Sequence, residues 1–262
     1  MTTPNRWAIR DAGIATFYSL ATGKPVTTLR TLKTSGLETT GETVYSRGGR
    51  GNPKLLGFSS NREAKLTLQD AVFDNKALAM LTGNNLVEGA SDVVFIDTLT
   101  VNANATALSK TPVGSLIGVY KLNADGTLGD EVKFAAGTVA TGEYKISGKN
   151  LTFFSGDFAD GQKIAAYYSV TTDATAKTLK VTSDAFGKTF KVVLDCVVRD
   201  EYTKEDYAAQ ITIPSAKFED TFNLALAAEG DPAVLDMTMD VLKDPLSNDM
   251  WMMKIFDEDQ IS

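Results

Sequence analysis

Alternating apolar and polar positions dominate the chain and predict β-strands over most of its length. The clearest runs are Phe190–Val198 and Leu235–Val241, in which every second residue is apolar. Asp125-Gly126 and Ser147-Gly148 each separate two shorter strand patterns, which predicts a hairpin at both places. Phe222–Leu226 lies one Gly-Asp-Pro turn before Leu235–Val241 and predicts a further hairpin with it. The chain is therefore expected to be mainly β.

One segment has helical rather than strand spacing. Apolar residues between Phe73 and Leu81 fall on one face at intervals of three and four, Asp70 precedes them as an N-cap, and Gly83 follows as a stop signal. The pattern predicts a single helix over residues 70–82. Because the helix has one apolar face, we expect it to lie against a sheet.

The stretch 34–57 differs from both patterns. It is rich in glycine and poor in large apolar residues, so it cannot form a compact core by itself. Connections of this length are usually functional or disordered. We predict a long loop or extended hairpin arm that orders against a partner subunit, its arginines bridging to carboxylates; a short nucleic-acid-binding tract and a solvated loop are the alternatives. The candidate contact residues are Arg47, Gly48, Gly49, Arg50, Gly51 and Lys54.

The composition removes several classes of enzyme. The 262 residues include one cysteine and no histidine, which excludes an internal disulfide, a Ser-His-Asp triad and His-based zinc sites. No metal or cofactor is expected, and no phosphate-binding motif is complete. Nothing approaches the roughly 20 apolar residues of a membrane helix, and the N-terminus lacks a signal-peptide core. The sequence therefore favours a binding or assembly protein over an enzyme.

Charge is distributed unevenly around a net value of −7. Residues 1–65 carry ten basic against four acidic residues, whereas residues 229–262 carry two against nine. A basic end of one copy could meet an acidic end of the next in a heterologous contact, which builds rings or stacks; solvated faces are the alternative. Asp236, Thr238 and Asp240 share one strand face, which is either solvated or lines a channel that repels a polyanion.

Four segments resemble the major tail proteins (tail tube proteins) of tailed bacteriophages. These segments are Gly48–Phe58, Lys65–Ala71, Gln210–Phe218 and Phe222–Pro232. The resemblance implies a tail-tube-like β-sandwich or barrel formed by residues 1–90 and 200–262, with one flanking helix and a long arm. Residues 91–199 would be an inserted β-rich subdomain.

The resemblance also implies a function. Tail tube subunits form hexameric rings that stack into a hollow tube, assembled in the host cytoplasm, through which genomic DNA passes without specific binding. Residues 34–57 would be the stacking arm, and the acidic face a candidate for the lumen wall. The implied partners are further copies of the chain, the tape measure, baseplate and terminator proteins and, in a contractile tail, a sheath. A head decoration, connector or baseplate protein and a host-glycan-binding module remain alternatives.

Overall fold

The computed structural model describes residues 3–223 and 232–260. Strands predominate and one α-helix accompanies them in this part of the chain, which confirms the predicted fold class. The helix is α1 (Asn75–Thr82), and a short 3₁₀ turn covers Glu258–Gln260. The strands are β1 (Trp7–Ile9), β2 (Ile14–Ser19), β3 (Pro25–Leu29), β4 (Leu32–Arg47), β5 (Lys54–Asp70), β6 (Val87–Glu88), β7 (Asp92–Thr100), β8 (Ala105–Ala107), β9 (Gly118–Leu122), β10 (Leu128–Phe134), β11 (Glu143–Ser147), β12 (Asn150–Phe153), β13 (Lys163–Thr171), β14 (Lys177–Thr178), β15 (Thr189–Asp200), β16 (Asp206–Phe218), β17 (Leu235–Val241) and β18 (Met252–Phe256).

The chain divides into two compact units. The first combines Met1–Leu86 with Leu179–Ser262, and the second is Val87–Thr178. The sequence analysis ended the inserted region at residue 199, so it assigned the segment that forms β15 to that region. In the structure, β15 pairs with β2 and β16 and so belongs to the first unit. Alternation along a strand shows that it has a buried face but does not show which sheet it joins.

An antiparallel nine-stranded sheet forms the first unit. Seven strands follow the order β3-β2-β15-β16-β17-β5-β4, while β1 adds to β15 and β18 adds to β16. The strands at the two ends, β3 and β4, are consecutive in the chain and joined by Arg30 and Thr31. The sheet therefore curls around its own apolar face into a nearly closed barrel.

Three aromatic side chains mark the centre of this barrel. Phe17, Phe190 and Phe218 come from three neighbouring strands, and their ring centroids lie 5.7–6.2 Å apart. Edge-to-face and offset contacts at these separations add to the stabilisation from burial. Leucines of β5 and methionines of β17 complete the same cluster. Since alternate residues of β5 and β17 point into this core, the residues between them point outward.

The flanking helix is shorter than predicted at its start. The sequence analysis began the helix at Asp70, but α1 begins at Asn75 and Asp74 is the N-cap. The Asp74 carboxylate accepts hydrogen bonds from the next helical amides, at 2.7 and 2.8 Å. Asp70 instead ends β5, where it is buried and accepts a hydrogen bond from the Thr31 hydroxyl. The predicted stop at Gly83 is confirmed by its left-handed backbone, φ 74°.

The second unit contains a seven-stranded sheet of its own. Its order is β7-β13-β9-β10-β11-β12-β8, and β6 pairs separately with β14. The predicted turns at Asp125-Gly126 and Ser147-Gly148 are confirmed, because they join β9 to β10 and β11 to β12. A separate apolar cluster fills this unit, with Tyr168 as its largest fully buried side chain.

A buried carboxylate lies beside that cluster. Asp97 of β7 accepts hydrogen bonds from the Tyr168 hydroxyl at 2.7 Å and from the Ser109 hydroxyl at 2.6 Å. Burial alone would raise the pKa of Asp97, but these bonds and the Ser109 amide outweigh it and hold the pKa below its usual value. Asp97 is therefore ionised in the folded unit at neutral pH.

The predicted hairpin at the end of the first unit is described only in part. Its second strand is confirmed as β17, but residues 224–231 lie outside the described residues, and Phe222 and Asn223 belong to no strand. Further along, β18 pairs with β16, and Trp251 just before it is 39% exposed. The apolar segment near the C-terminus is therefore only partly covered within the first unit.

Candidate assembly interface

The segment predicted as an arm is the far part of a long β-hairpin. β4 and β5 pair from Leu32–Asp70 to Arg47–Lys54. Near the barrel, Ala64, Leu66 and Leu68 of β5 are buried, whereas nearly every side chain between Glu38 and Glu63 is exposed. Arg47 lies ten positions after Leu37, so this part of the hairpin spans about 33 Å at the usual rise of a strand. Backbone pairing holds most of the hairpin over this distance, and the Asn61 amide also donates a cross-strand hydrogen bond to the Glu42 carboxylate at 2.8 Å.

The six candidate contact residues are brought together at the tip. Arg47 ends β4, Lys54 begins β5, and the intervening residues form the turn. Gly49 and Gly51 have φ values of 82° and 87°, a left-handed conformation that side-chain-bearing residues rarely adopt. The turn closes with a bond from the Asn52 amide to the Gly49 carbonyl at 3.1 Å. Gly49 and Gly51 are therefore required by the turn, and the charged residues extend from it into solvent.

The charged groups of the tip have no carboxylate partner among residues 3–223 and 232–260. Arg47 donates a weak hydrogen bond to the Asn52 carbonyl at 3.5 Å, and the Lys54 ammonium lies 3.8 Å from the centroid of the Tyr45 ring. None of Arg47, Arg50 and Lys54 has an acidic oxygen within ion-pair distance there. These cations are thus available to a second molecule.

One face of the arm carries an apolar stripe that the sequence analysis missed. Val44 lies directly opposite Phe58, and Leu56 follows two residues from Phe58 on the same face. These three side chains, which we call the arm stripe, are 60–62% exposed. The individual residues are visible in the sequence, but their common face depends on the cross-strand register. Exposed apolar clusters rimmed by polar residues mark interaction surfaces.

The acidic-face candidates lie on the outward face of β17, as the alternation predicts. Asp236 and Asp240 are exposed and Thr238 is partly exposed. The neighbouring strand supplies partners: the Gln69 amide donates to Asp236 at 2.8 Å, and the Lys65 ammonium lies 3.8 Å from an Asp240 oxygen. This face is therefore a mixed polar surface, because β5 offsets part of the charge of β17.

Lys65 is the central cation of that face. Its ammonium donates to a Glu219 carboxylate oxygen at 2.5 Å, and this bond with the Glu219 charge raises the pKa of Lys65. The side chain is consequently charged at any physiological pH. Within the described residues no group of three or more acidic, cysteine or histidine side chains is arranged to hold a metal ion. The described residues of this face therefore carry charges of both signs in hydrogen-bonded contact.

Comparison with known proteins agrees with these features. The profile of the YomU/Tube protein family matches residues 7–254, nearly the whole chain, whereas no curated protein matches it. In the part of the chain that the structure describes, no helix has the length and apolar character needed to cross a membrane. The family match confirms the resemblance to phage tail tube proteins and indicates a component of the virion tail. The chain belongs to the YomU/Tube protein family and is a phage tube-like structural protein.

Proposed function

We propose that this protein is the tail tube subunit of a tailed phage, which assembles into hexameric rings that stack into the conduit for DNA delivery. The exposed hairpin arm is the observation that carries the proposal. The arm extends for about 33 Å and leaves its apolar stripe exposed to solvent. In our proposal another molecule covers this stripe. Membership of the tube family supports a further copy of the chain as that molecule.

Ring stacking is the role that best fits the chemistry of the arm. The tip presents Arg47, Arg50 and Lys54 without carboxylate partners within the described residues, and the arm stripe lies behind them. Burial of the arm stripe would provide binding free energy between rings, while the charges of the tip would fix the orientation and register of the contact. Identical arms repeated around a ring act together, so modest individual contacts can hold one ring on the next.

The outward face of β5 and β17 is our candidate for the lumen wall. DNA must move through a tube without being held, which requires a surface with few unpaired cations. On this face Lys65 is engaged by Glu219 and Asp240, while Asp236 adds a carboxylate. The net charge of −7 further opposes binding of a polyanion. The tape measure, baseplate and terminator proteins and, in a contractile tail, a sheath protein would be the other partners of the tube.

Negative-stain electron microscopy of the purified protein, over a series of protein and salt concentrations, tests the proposal. We expect hollow rings with six-fold end views and stacked tubes at higher concentration. Charge reversal of the tip by Arg47→Glu with Arg50→Glu should leave rings but shorten the stacks. Lys133→Glu with Lys145→Glu, at two exposed positions of the second unit, changes the net charge by the same amount and is the matched control. Tubes of unchanged length in the arm variant would contradict the stacking role.

A further inference from the structure

The sheet of the second unit has an outward face that its core does not use. Along β7, β13 and β9, the residues that alternate with the core positions point away from the apolar cluster of this unit. We call eight of these residues the tyrosine face. Antiparallel pairing places them in three rows, which are Val94 beside Ser169, Ile96 beside Tyr167 and Gly118, and Thr98 beside Ala165 and Tyr120.

The ring of Tyr120 occupies the space beside Gly118. An ideal Cβ on Gly118 would lie 2.8 Å from Cε2 of Tyr120 and 3.3 Å from its hydroxyl oxygen, so the ring takes the place that a side chain at this position would need. The Tyr167 ring meets the Tyr120 ring edge to face, with centroids 6.0 Å apart and planes at 83°. Contacts of this geometry are favourable, so the two rings hold each other in position on the sheet.

Both tyrosines of this face remain accessible to a ligand. Each is partly exposed, and within residues 3–223 and 232–260 no hydrogen bond engages either phenol hydroxyl. The aliphatic side chains beside them on β7 are open to solvent, because Val94 is 63% exposed and Ile96 is 57% exposed. The tyrosine face therefore offers aromatic rings, aliphatic groups and hydroxyls on one surface.

The charges around the tyrosine face favour an uncharged ligand. None of its eight residues carries a charge at neutral pH. Charged side chains of both signs lie at its border, with Glu131 of β10 opposite Tyr120 and Lys163 of β13 opposite Thr100. A strongly charged partner is recognised by a patch of the opposite charge, and the centre of this face provides none.

The size of the face favours a small ligand over a protein. A stable protein–protein interface uses about 800 Å² and 20–30 residues on each side. The tyrosine face has only eight residues, of which Gly118 and Ala165 are buried. A sugar ring has the matching chemistry: its C–H groups pack on the faces of aromatic rings, and its hydroxyls exchange hydrogen bonds with tyrosine, serine and threonine hydroxyls.

We propose that the tyrosine face binds a neutral oligosaccharide. Tyr120 is the platform on which a sugar ring stacks, Tyr167 fixes that platform, and Val94 and Ile96 extend the apolar surface along the sugar chain. This function goes beyond the proposed tube function and does not depend on it. In a tube the face would be repeated in every subunit, so weak single contacts with a sugar polymer would act together.

Saturation-transfer NMR of the full-length protein tests the proposal with defined sugars. The neutral probes are maltohexaose, cellohexaose, chitohexaose and dextran, and dextran sulfate is the charged counterpart of dextran. We expect transfer from the protein to the C–H protons of at least one neutral probe, with a dissociation constant of about 1 mM or lower in a titration. Dextran sulfate should bind no more tightly than dextran.

Variants of the two central positions locate the binding. Tyr120→Ala should weaken it at least about tenfold, and Gly118→Ala should also weaken it, because the added methyl group displaces the Tyr120 ring. Tyr120→Phe keeps the ring and should retain most of the binding. Tyr202→Ala is the matched control, since this tyrosine of the first unit is 76% exposed and its removal should leave binding unchanged. The melting temperature of each variant shows whether the fold is retained.

The outcomes decide the proposal whatever happens to the fold of a single variant. Loss of binding in Tyr120→Ala and Gly118→Ala, but not in Tyr202→Ala, would support it. No transfer to any neutral probe, equal binding by Tyr120→Ala, or tighter binding of dextran sulfate than of dextran would overturn it. Should Tyr120→Ala lower the melting temperature, Ile96→Thr at its exposed position decides: we expect binding about threefold weaker, and unchanged binding would overturn the proposal.

Discussion

The arm stripe allows the central contact to be weakened without disturbing the fold. Replacing Val44, Leu56 and Phe58 by threonine removes apolar surface but keeps residues that favour strands. Complete burial of such a side chain stabilises by about 1.5–3 kcal/mol, and each is 60–62% exposed in the single chain. The triple variant should therefore lose about 3–5 kcal/mol per arm contact, or at least about a hundredfold in association constant.

The assay measures the protein concentration above which tubes sediment. The melting temperature of the same variant is measured before assembly. Because the stripe is exposed before assembly, the melting temperature of the single chain should change little. Val94→Thr with Ile96→Thr is the matched control: these residues of β7 are 63% and 57% exposed but lie in the second unit. This control should assemble like the unchanged protein.

Two results would refute the reasoning. If the triple variant forms tubes at the same concentration as the unchanged protein, the arm stripe is not buried on assembly. If its melting temperature falls by many degrees before assembly, the stripe supports the fold of the single chain, and any loss of tubes would have a different cause.

Three further predictions concern the cap, the buried carboxylate and the lumen face. Asp74→Ala should lower the free energy of unfolding by about 1 kcal/mol in denaturant titrations, whereas Asn75→Ala should change it little. Because folding lowers the pKa of Asp97, this carboxylate should contribute its full stabilisation above about pH 4 and lose it as the pH falls through the folded pKa. When melting temperature is measured against pH, Asp97→Asn should therefore show a smaller fall on the acid side than the unchanged protein. Asp236→Lys with Asp240→Lys should slow DNA ejection from particles, most at low salt, and unchanged ejection would contradict a lumen position.

Strands with one buried face were the most predictable part of the fold. In β17 every second residue is buried, so the apolar positions in the sequence are the ones that face the barrel core. The helix start was less predictable, since both Asp70 and Asp74 precede the apolar positions and can cap. Only the pairing of Asp70 with Leu235 and Leu32 shows that it is still within a strand.

The candidate interface was only partly predictable, because some of its residues come together through long-range strand pairing. The glycine-rich basic tip was visible because its residues are adjacent in the chain. The arm stripe joins Val44 to Phe58 across a hairpin register that contains irregularities.

The mass of the smallest assembled species tests the central claim most directly. Native mass spectrometry of the purified protein, under salt that prevents stacking, would measure it, and cryo-electron microscopy of the same sample would show its symmetry. The account predicts a hollow six-fold ring of about 169 kDa, six times the 28.1 kDa of the chain. A species that remains at 28.1 kDa at every protein concentration, or a ring with a different number of subunits, would contradict it.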